Sequence, residues 1–385
     1  MPQRGIDAAT VPGAVKGWEA LRARFGRVPF ARILAPAIQY AEIGFPVGDV
    51  VSVHWQDSEE ALRRDAATAK TFLSDGRVPQ VGDMFHNPEL AWTYRQIAAA
   101  GATAFYSGSV AAKLLASSKT HGGTMTAADL AEYEVEWVTP ISTTYRGWTV
   151  YALSPNGQGS AALLMLNIME QFPMASMGHN STAALHHMIE AKKLAYADLQ
   201  RYDADPRFAT VPVNGLLSKT YAAERAKLVH ATRANCTVPY GTPEGTDNGT
   251  TYLSAVDREG NMISFIQRNY STGGWNQSQA HAQFVSNIED FGMNIQGALD
   301  APRFSKETFP GCDVNLAARI AASTRDALTA MGHQLVMRGD SSSTRMGAGQ
   351  AVQRNRRTTL NAGASDPRKD GAAISELLPP GAPRR

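Results

Sequence analysis

The chain has 385 residues, 43% hydrophobic and 19% charged, enough to bury a large core and more than one average domain. Thirty-seven basic residues oppose thirty-five acidic ones, and the basic residues gather only at Arg354, Arg356 and Arg357, so nucleic-acid binding lacks electrostatic support and a small or peptidic substrate fits better. No apolar run approaches bilayer-spanning length and the opening MPQRGIDAATVPGAVKGW lacks the apolar core of a signal peptide, so the chain as written is expected to remain in the cytoplasm.

Residues 12–140 read as mostly helical. Asn87 is placed to cap a helix beginning at Pro88 and ending at Gly101, and Thr126 to cap one that carries Asp129 in its first turn. This part reads as scaffold, with His54, His86 and His121 as surface or core-edge groups. Trp148–Leu153 then reads as a strand, followed by a glycine turn and a helix from Ala161 to Gln171. Gly157, Gly159 and Ala162 satisfy a loose dinucleotide-loop pattern. The expected second parallel strand does not follow, so a tight turn for close helix packing is the preferred reading.

A second helix is expected from about Ser181 to Tyr202, with Leu185, Met188, Ile189, Ala195, Tyr196 and Leu199 on a buried face. His186 and His187 are adjacent and point apart, so together they do not suit one metal. Glu190 with Lys193, and Asp198 with Arg201, have the spacing of solvated helical pairs. Cys236 and Cys312 share no metal-ligand spacing and indicate neither a disulfide framework nor a zinc site; both read as inert small residues.

Residues 230–249, HATRANCTVPYGTPEGTDNG, have no apolar period and read as an exposed connector, the best internal boundary. Two strand-like runs, TTYLSAVD and NMISFIQ, follow as a hairpin. The connector therefore delivers Thr250 to the edge of a sheet. On its own a Thr-Thr pair simply begins a strand. Were the Gly249–Thr250 bond cut, however, Thr250 would carry a free α-amine beside its hydroxyl, a general base and a nucleophile in one residue. Such chemistry needs no cofactor and no metal.

DNGTTYLSAVDREGNMISFIQ resembles the beginning of the small subunit in the γ-glutamyltransferase family of N-terminal-nucleophile hydrolases. Other stretches agree in order along nearly the whole chain, among them VPGAVKGWEALRARFG, GGTMTAADLAEYEVEWVTPI, EAKKLAYADLQRY, DFGMNIQGALDAPRF and GASDPRKDGAA. The resemblance implies an α+β fold, a four-layer αββα sandwich. It implies a large-subunit-like region 1–249 and a small-subunit-like region 250–385, cut from one precursor and held as a heterodimer, with further homo-oligomerisation left open. Thr250 falls on the catalytic threonine, and Gly249–Thr250 on the self-cleavage bond. Gly273 and Gly274 fall on the glycines whose amides stabilise the oxyanion, and Asn269 on a residue holding the glutamyl group. The implied substrates are a γ-glutamyl donor such as glutathione and an amino acid, peptide or water acceptor; some members of the family are periplasmic or secreted.

The departures matter equally. The chain opens near what resembles the middle of the large subunit, without the strands and the arginine that pairs with the substrate α-carboxylate. A long family segment between Ser271 and Thr272 is also missing, with its amine-binding acidic residue and paired serines. Lost strands expose sheet edges and apolar faces, which favours association. Three readings follow: a γ-glutamyl-transferring enzyme, a non-catalytic relative persisting uncut as a binding module, and an amidase acting on another acyl group, such as the side chain of a β-lactam nucleus.

Overall fold

The computed structural model describes residues 5–153, 157–204, 209–243, 254–257, 259–264, 276–339 and 346–375. These fall into two compact units, one up to Trp137 and one from Val138 onward.

The first unit is helical, as its capping residues predict. It comprises α1 (Ala14–Phe25), α2 (Phe30–Ile43), α3 (Asp49–Leu62), α4 (Ala66–Phe72), α5 (Pro88–Ala100), α6 (Ala102–Tyr106), α7 (Ser109–Thr120) and α8 (Ala127–Ala131), with a short antiparallel pair, β1 (Phe45–Pro46) and β2 (Met84–Phe85). Its core gathers Val15, Phe30, Leu34, Ile97, Ala102 and Tyr106. Asn87 Oδ1 accepts from the Leu90 amide at 2.9 Å, and Gly101, at φ 63°, ends α5. Thr126 and Asp129 form a reciprocal capping box on α8. We expect Asn87→Ala to leave an orphan amide at the start of α5 and to cost about 1 kcal/mol in chemical denaturation.

The second unit is α+β. β3 (Ile141–Tyr145) and β4 (Trp148–Ala152) form an antiparallel hairpin that leads to α9 (Gly159–Met169). Ser160 through Met169 are all buried. Burying Leu163, Leu164, Leu166 and Ile168 contributes about 1.5–3 kcal/mol each relative to exposure. After the short α10 (Met174–Met177) comes α11 (Thr182–Tyr202), capped by Ser181. Its expected apolar face is buried, and so is most of the remaining circumference from Ala184 to Leu199.

The chain continues through α12 (Val213–Leu216) and α13 (Lys219–Ala226) to the hairpin of β5 (Ser254–Val256) and β6 (Met262–Ser264). Next come α14 (Gln277–Glu289), α15 (Ile295–Asp300), β7 (Phe304–Ser305), β8 (Asp313–Ala317), α16 (Ala322–Ala330) and β9 (Gln334–Arg338). β7 pairs antiparallel with β8, and β8 parallel with β9, the connection that a crossover helix such as α16 permits. A last antiparallel hairpin joins β10 (Gln350–Arg354) to β11 (Asn361–Ser365).

Two sequence motifs meet in this unit. Asp366 of GASDPRKDGAA is fully buried and accepts from Arg303 of DFGMNIQGALDAPRF at 2.5 Å and from Arg368 at 2.9 Å. Arg368 also donates to the Leu299 and Ala301 carbonyls, each at 2.9 Å, so the motif locks the region after β11 onto the end of α15.

Three expectations, one for the cysteines and two for α11, are overturned. Cys236 and Cys312 are joined in a disulfide rather than standing as inert residues: the connector folds back so that Cα atoms 76 positions apart in sequence lie 4.9 Å apart. Glu190–Lys193 is a buried pair at 2.7 Å, with side chains 2% and 1% exposed, not a solvated one. Asp198 is likewise fully buried, and its partner is Arg225 of α13 at 3.0 Å rather than Arg201. The helical spacing was read correctly, but α11 lies inside the protein, where each charge must find a partner.

Candidate active site

Gly249, Thr250, Asn269, Gly273 and Gly274 lie outside the described residues, so the site is built here from the elements that lead into and out of them. These are the connector up to residue 243, the β5–β6 hairpin and the start of α14.

The connector has no helix or strand and is largely exposed, as its composition predicts, but it is firmly attached. α11 is its anchor. His186 Nε2 meets the His230 carbonyl at 2.7 Å, Glu190 accepts from the Asn235 amide at 3.2 Å, and Lys193 donates to the Asn235 carbonyl at 3.1 Å. One α-helical turn further along, Asp198 accepts from the Gly241 amide at 2.7 Å and Tyr202 donates to the Gly241 carbonyl at 2.7 Å. Arg225 donates to the Pro239 carbonyl at 2.7 Å. The disulfide adds a covalent attachment at Cys236, beside which the Gly311 amide donates to the Cys236 carbonyl at 3.0 Å. Charge-assisted bonds of this kind are among the stronger hydrogen bonds, so the chain is positioned through Gly241, eight residues before Gly249.

Beyond residue 253, β5 is held on both sides. It pairs with β6 in the register Ser254↔Ser264 and Val256↔Met262, and the Asp257 carbonyl accepts from Asn361 Nδ2 at 3.0 Å and from Arg354 at 3.3 Å. The turn between β5 and β6 needs its glycine: Gly260 has φ +91°, and a Cβ there would lie 2.8 Å from the Arg354 guanidinium. Arg354 of the basic cluster thus has a structural task. Downstream, Gln279 fixes the first turn of α14 by donating to the Lys306 carbonyl at 3.0 Å and accepting from the Lys306 amide at 2.9 Å. Ser278 donates to the Gln158 carbonyl, joining that turn to the loop before α9.

His186, Glu190 and His333 bring potential ligand atoms within 4.8 Å of one another, a grouping that the adjacent His186 and His187 do not make. Most of their capacity is already used, although the buried His333 Nδ1 has no hydrogen-bond partner. His186 Nδ1 meets His333 Nε2 at 2.9 Å and its Nε2 the His230 carbonyl, while both Glu190 oxygens serve Lys193 and Asn235. The Lys193 ammonium supplies the positive charge a metal would otherwise bring, so the cluster reads as a structural network. His187 instead meets the Ala183 carbonyl at 2.8 Å and packs against Phe172.

Burial first, and the nearby Lys193 ammonium second, push the His333 imidazole down to about 3. Because the folded state then binds fewer protons than the unfolded state between about 3 and 6.5, this group's stabilisation is complete above 6.5 and is lost as pH falls. Burial also pushes Asp203 up to about 7, which works in the opposite sense over much of that range. The His333 contribution is therefore read as a difference. Relative to His333→Gln, wild type should lose about 2–3 kcal/mol more between pH 6.5 and 4.5 in denaturant titrations.

The polar face of α11 and the disulfide are the functional features that sequence reasoning missed. A usable signal existed for the first: His186, Glu190 and Lys193 are spaced four and then three residues apart, and Asp198 and Tyr202 four, so each set lies along one side of the helix.

The Gamma-glutamyltranspeptidase family model matches residues 1–274 and 270–376, and the chain belongs to this family of N-terminal-nucleophile hydrolases. It is 31% identical over 440 aligned positions to the Glutathione hydrolase-like YwrD proenzyme of Bacillus subtilis (strain 168), covering 97% of this chain and 82% of that one. It is 38% identical over 264 residues to the Acylase ACY 1 proenzyme of Pseudomonas sp. (strain SE83), covering 68% of this chain and 47% of that protein, so it spans about half of that relative's length. Among solved structures, cephalosporin acylase from Bacillus halodurans is similar at a TM-score of 0.88 and 33% identity, covering 98% of this chain and 80% of that one. The 440-position alignment exceeds the length of this chain, so the chain is gapped internally relative to that protein. No helix among the described residues is long and apolar enough to cross a membrane.

Proposed function

We propose that this chain is a precursor that cuts itself between Gly249 and Thr250 and then transfers a γ-glutamyl group from a small donor such as glutathione to water or an amine. The observation that carries this reading is the family match running through the Gly249–Thr250 bond. The Thr250 hydroxyl attacks the Gly249 carbonyl, the peptide C–N bond breaks to give an ester and a free α-amine on Thr250, and water hydrolyses the ester, restoring the hydroxyl and leaving a carboxylate on Gly249. That amine then takes the hydroxyl proton as Thr250 attacks the donor amide, forming a γ-glutamyl ester and expelling the donor's amine. Gly273 and Gly274 supply amides to the oxyanion, and Asn269 holds the glutamyl group. In this reading residues 1–249 and 250–385 become the large and small subunits, and the sheets belong to a four-layer αββα sandwich.

A second reading has its own support: two of the similar proteins are named acylases. It assigns the same nucleophile to an acyl group that lacks the amino-acid end. The experiment is a rate comparison on one preparation, with a γ-glutamyl anilide against a glutaryl anilide, which differs by the α-amino group and its carboxylate partner. Faster release from the γ-glutamyl compound supports the first reading, and faster release from the glutaryl compound the second. No release from either, in a chain shown uncut by intact mass, leaves the non-catalytic relative.

A further inference from the structure

We propose that the Cys236–Cys312 disulfide is a covalent tether across the self-cleavage bond, opened by low-molecular-weight thiols that attack Cys236. The tether role rests on the cleavage proposed above. Cys236 precedes Gly249 and Cys312 follows Thr250, so cutting the peptide between them leaves the two pieces joined through sulfur. The other described attachments between the two pieces are non-covalent: a shared apolar core, an Arg146–Asp290 ion pair, and hydrogen bonds including the Ala234 amide to the Met331 carbonyl at 2.7 Å and the Gly311 amide to the Cys236 carbonyl at 3.0 Å.

The two sulfurs differ in their surroundings. Cys236 belongs to an exposed part of the connector, whereas Cys312 is 2% exposed and lies just before β8. An incoming thiolate therefore reaches Cys236 first. The new bond forms to Cys236 Sγ, the old S–S bond breaks, and its electron pair leaves on Cys312 as a thiolate. Lys193 Nζ lies 3.7 Å from Cys312 Sγ, where its positive charge stabilises that leaving group. The products are a mixed disulfide on Cys236 and a reduced Cys312; a second thiolate then attacks the small-molecule sulfur, forming the low-molecular-weight disulfide and releasing Cys236 as a thiolate. A thiol is the only co-reactant, and the donor class proposed above includes one.

Two measurements on full-length wild-type protein, purified without reductant, test this. In denaturing electrophoresis, one full-length band without reductant and two with it is the expected result. Two bands in both lanes would show cleavage without a tether and overturn the proposal. One band in both lanes would show that the cleavage reading itself had failed, and the tether across the cut with it. For the thiol step, N-acetylcysteine is the probe, because it carries no γ-glutamyl amide. After a brief exposure, acid quenching, alkylation and peptide mapping, its mass is expected on the Cys236 peptide and the alkyl group on Cys312. An adduct on Cys312, a persistent Cys236–Cys312 linked peptide, or two alkylatable cysteines before any thiol is added would each overturn it.

Discussion

Replacing Thr250 by alanine is expected to leave a single uncut chain in intact-mass measurement and to reduce γ-glutamyl anilide release by on the order of 10⁴-fold or more. In the proposed mechanism, alanine removes the hydroxyl that acts twice, first on the Gly249 carbonyl and then on the donor amide. It therefore also prevents the α-amine base from being formed. Thr250→Ser keeps the hydroxyl and separates loss of chemistry from disturbance of the strand: cut chains and measurable turnover are expected, both slower than in wild type. An alanine variant that is cut and active like wild type would move the nucleophile elsewhere.

How much of this was legible in the sequence depended on whether the signal was local. Asn87 before Pro88, Thr126 before Asp129, and the glycine turn between TTYLSAVD and NMISFIQ announce helix starts and a hairpin through short-range stereochemistry, and the described structure has each of them. Thr250 stood out once the connector, the hairpin and the family motifs were read together. The support of the site was less legible. Glu190 and Lys193 have the spacing of a surface pair, and nothing within three residues says that α11 is enclosed around most of its circumference. Burial is set by elements far away in sequence, chiefly α9 and the chain after Thr308. The disulfide was hidden for the same reason, since a separation of 76 residues carries no pairing information.

The motifs behind the resemblance have physical explanations that do not involve catalysis directly. EAKKLAYADLQRY supplies Glu190, Lys193, Asp198 and Tyr202, which grip the connector through its backbone. GASDPRKDGAA and DFGMNIQGALDAPRF meet at the Asp366–Arg303–Arg368 cluster. Both are scaffolding, holding backbone in place through buried charged groups.

Asp198→Ala tests that scaffold where it bears most on function, and a loss of about 3–5 kcal/mol is expected in chemical denaturation. Asp198 is fully buried, and Arg225 is only 4% exposed, so removing the carboxylate leaves a guanidinium in the interior without its counter-charge. The contact between Asp198 Oδ2 and Arg225 Nε is 3.0 Å, but its angle is not that of a hydrogen bond, so charge attraction is the main loss there. The Gly241 amide loses its acceptor in the same step. Asp198→Asn keeps an oxygen for Gly241 and removes only the charge, so a smaller loss is expected. The functional consequence is specific to position: with the Gly241 amide released from Asp198 and Tyr202 left to hold that residue to α11, proteolysis near Tyr240 should increase and self-cleavage before Thr250 should slow. If Asp198→Ala destabilises the fold while the cut before Thr250 proceeds at the wild-type rate, the grip on the connector serves stability alone.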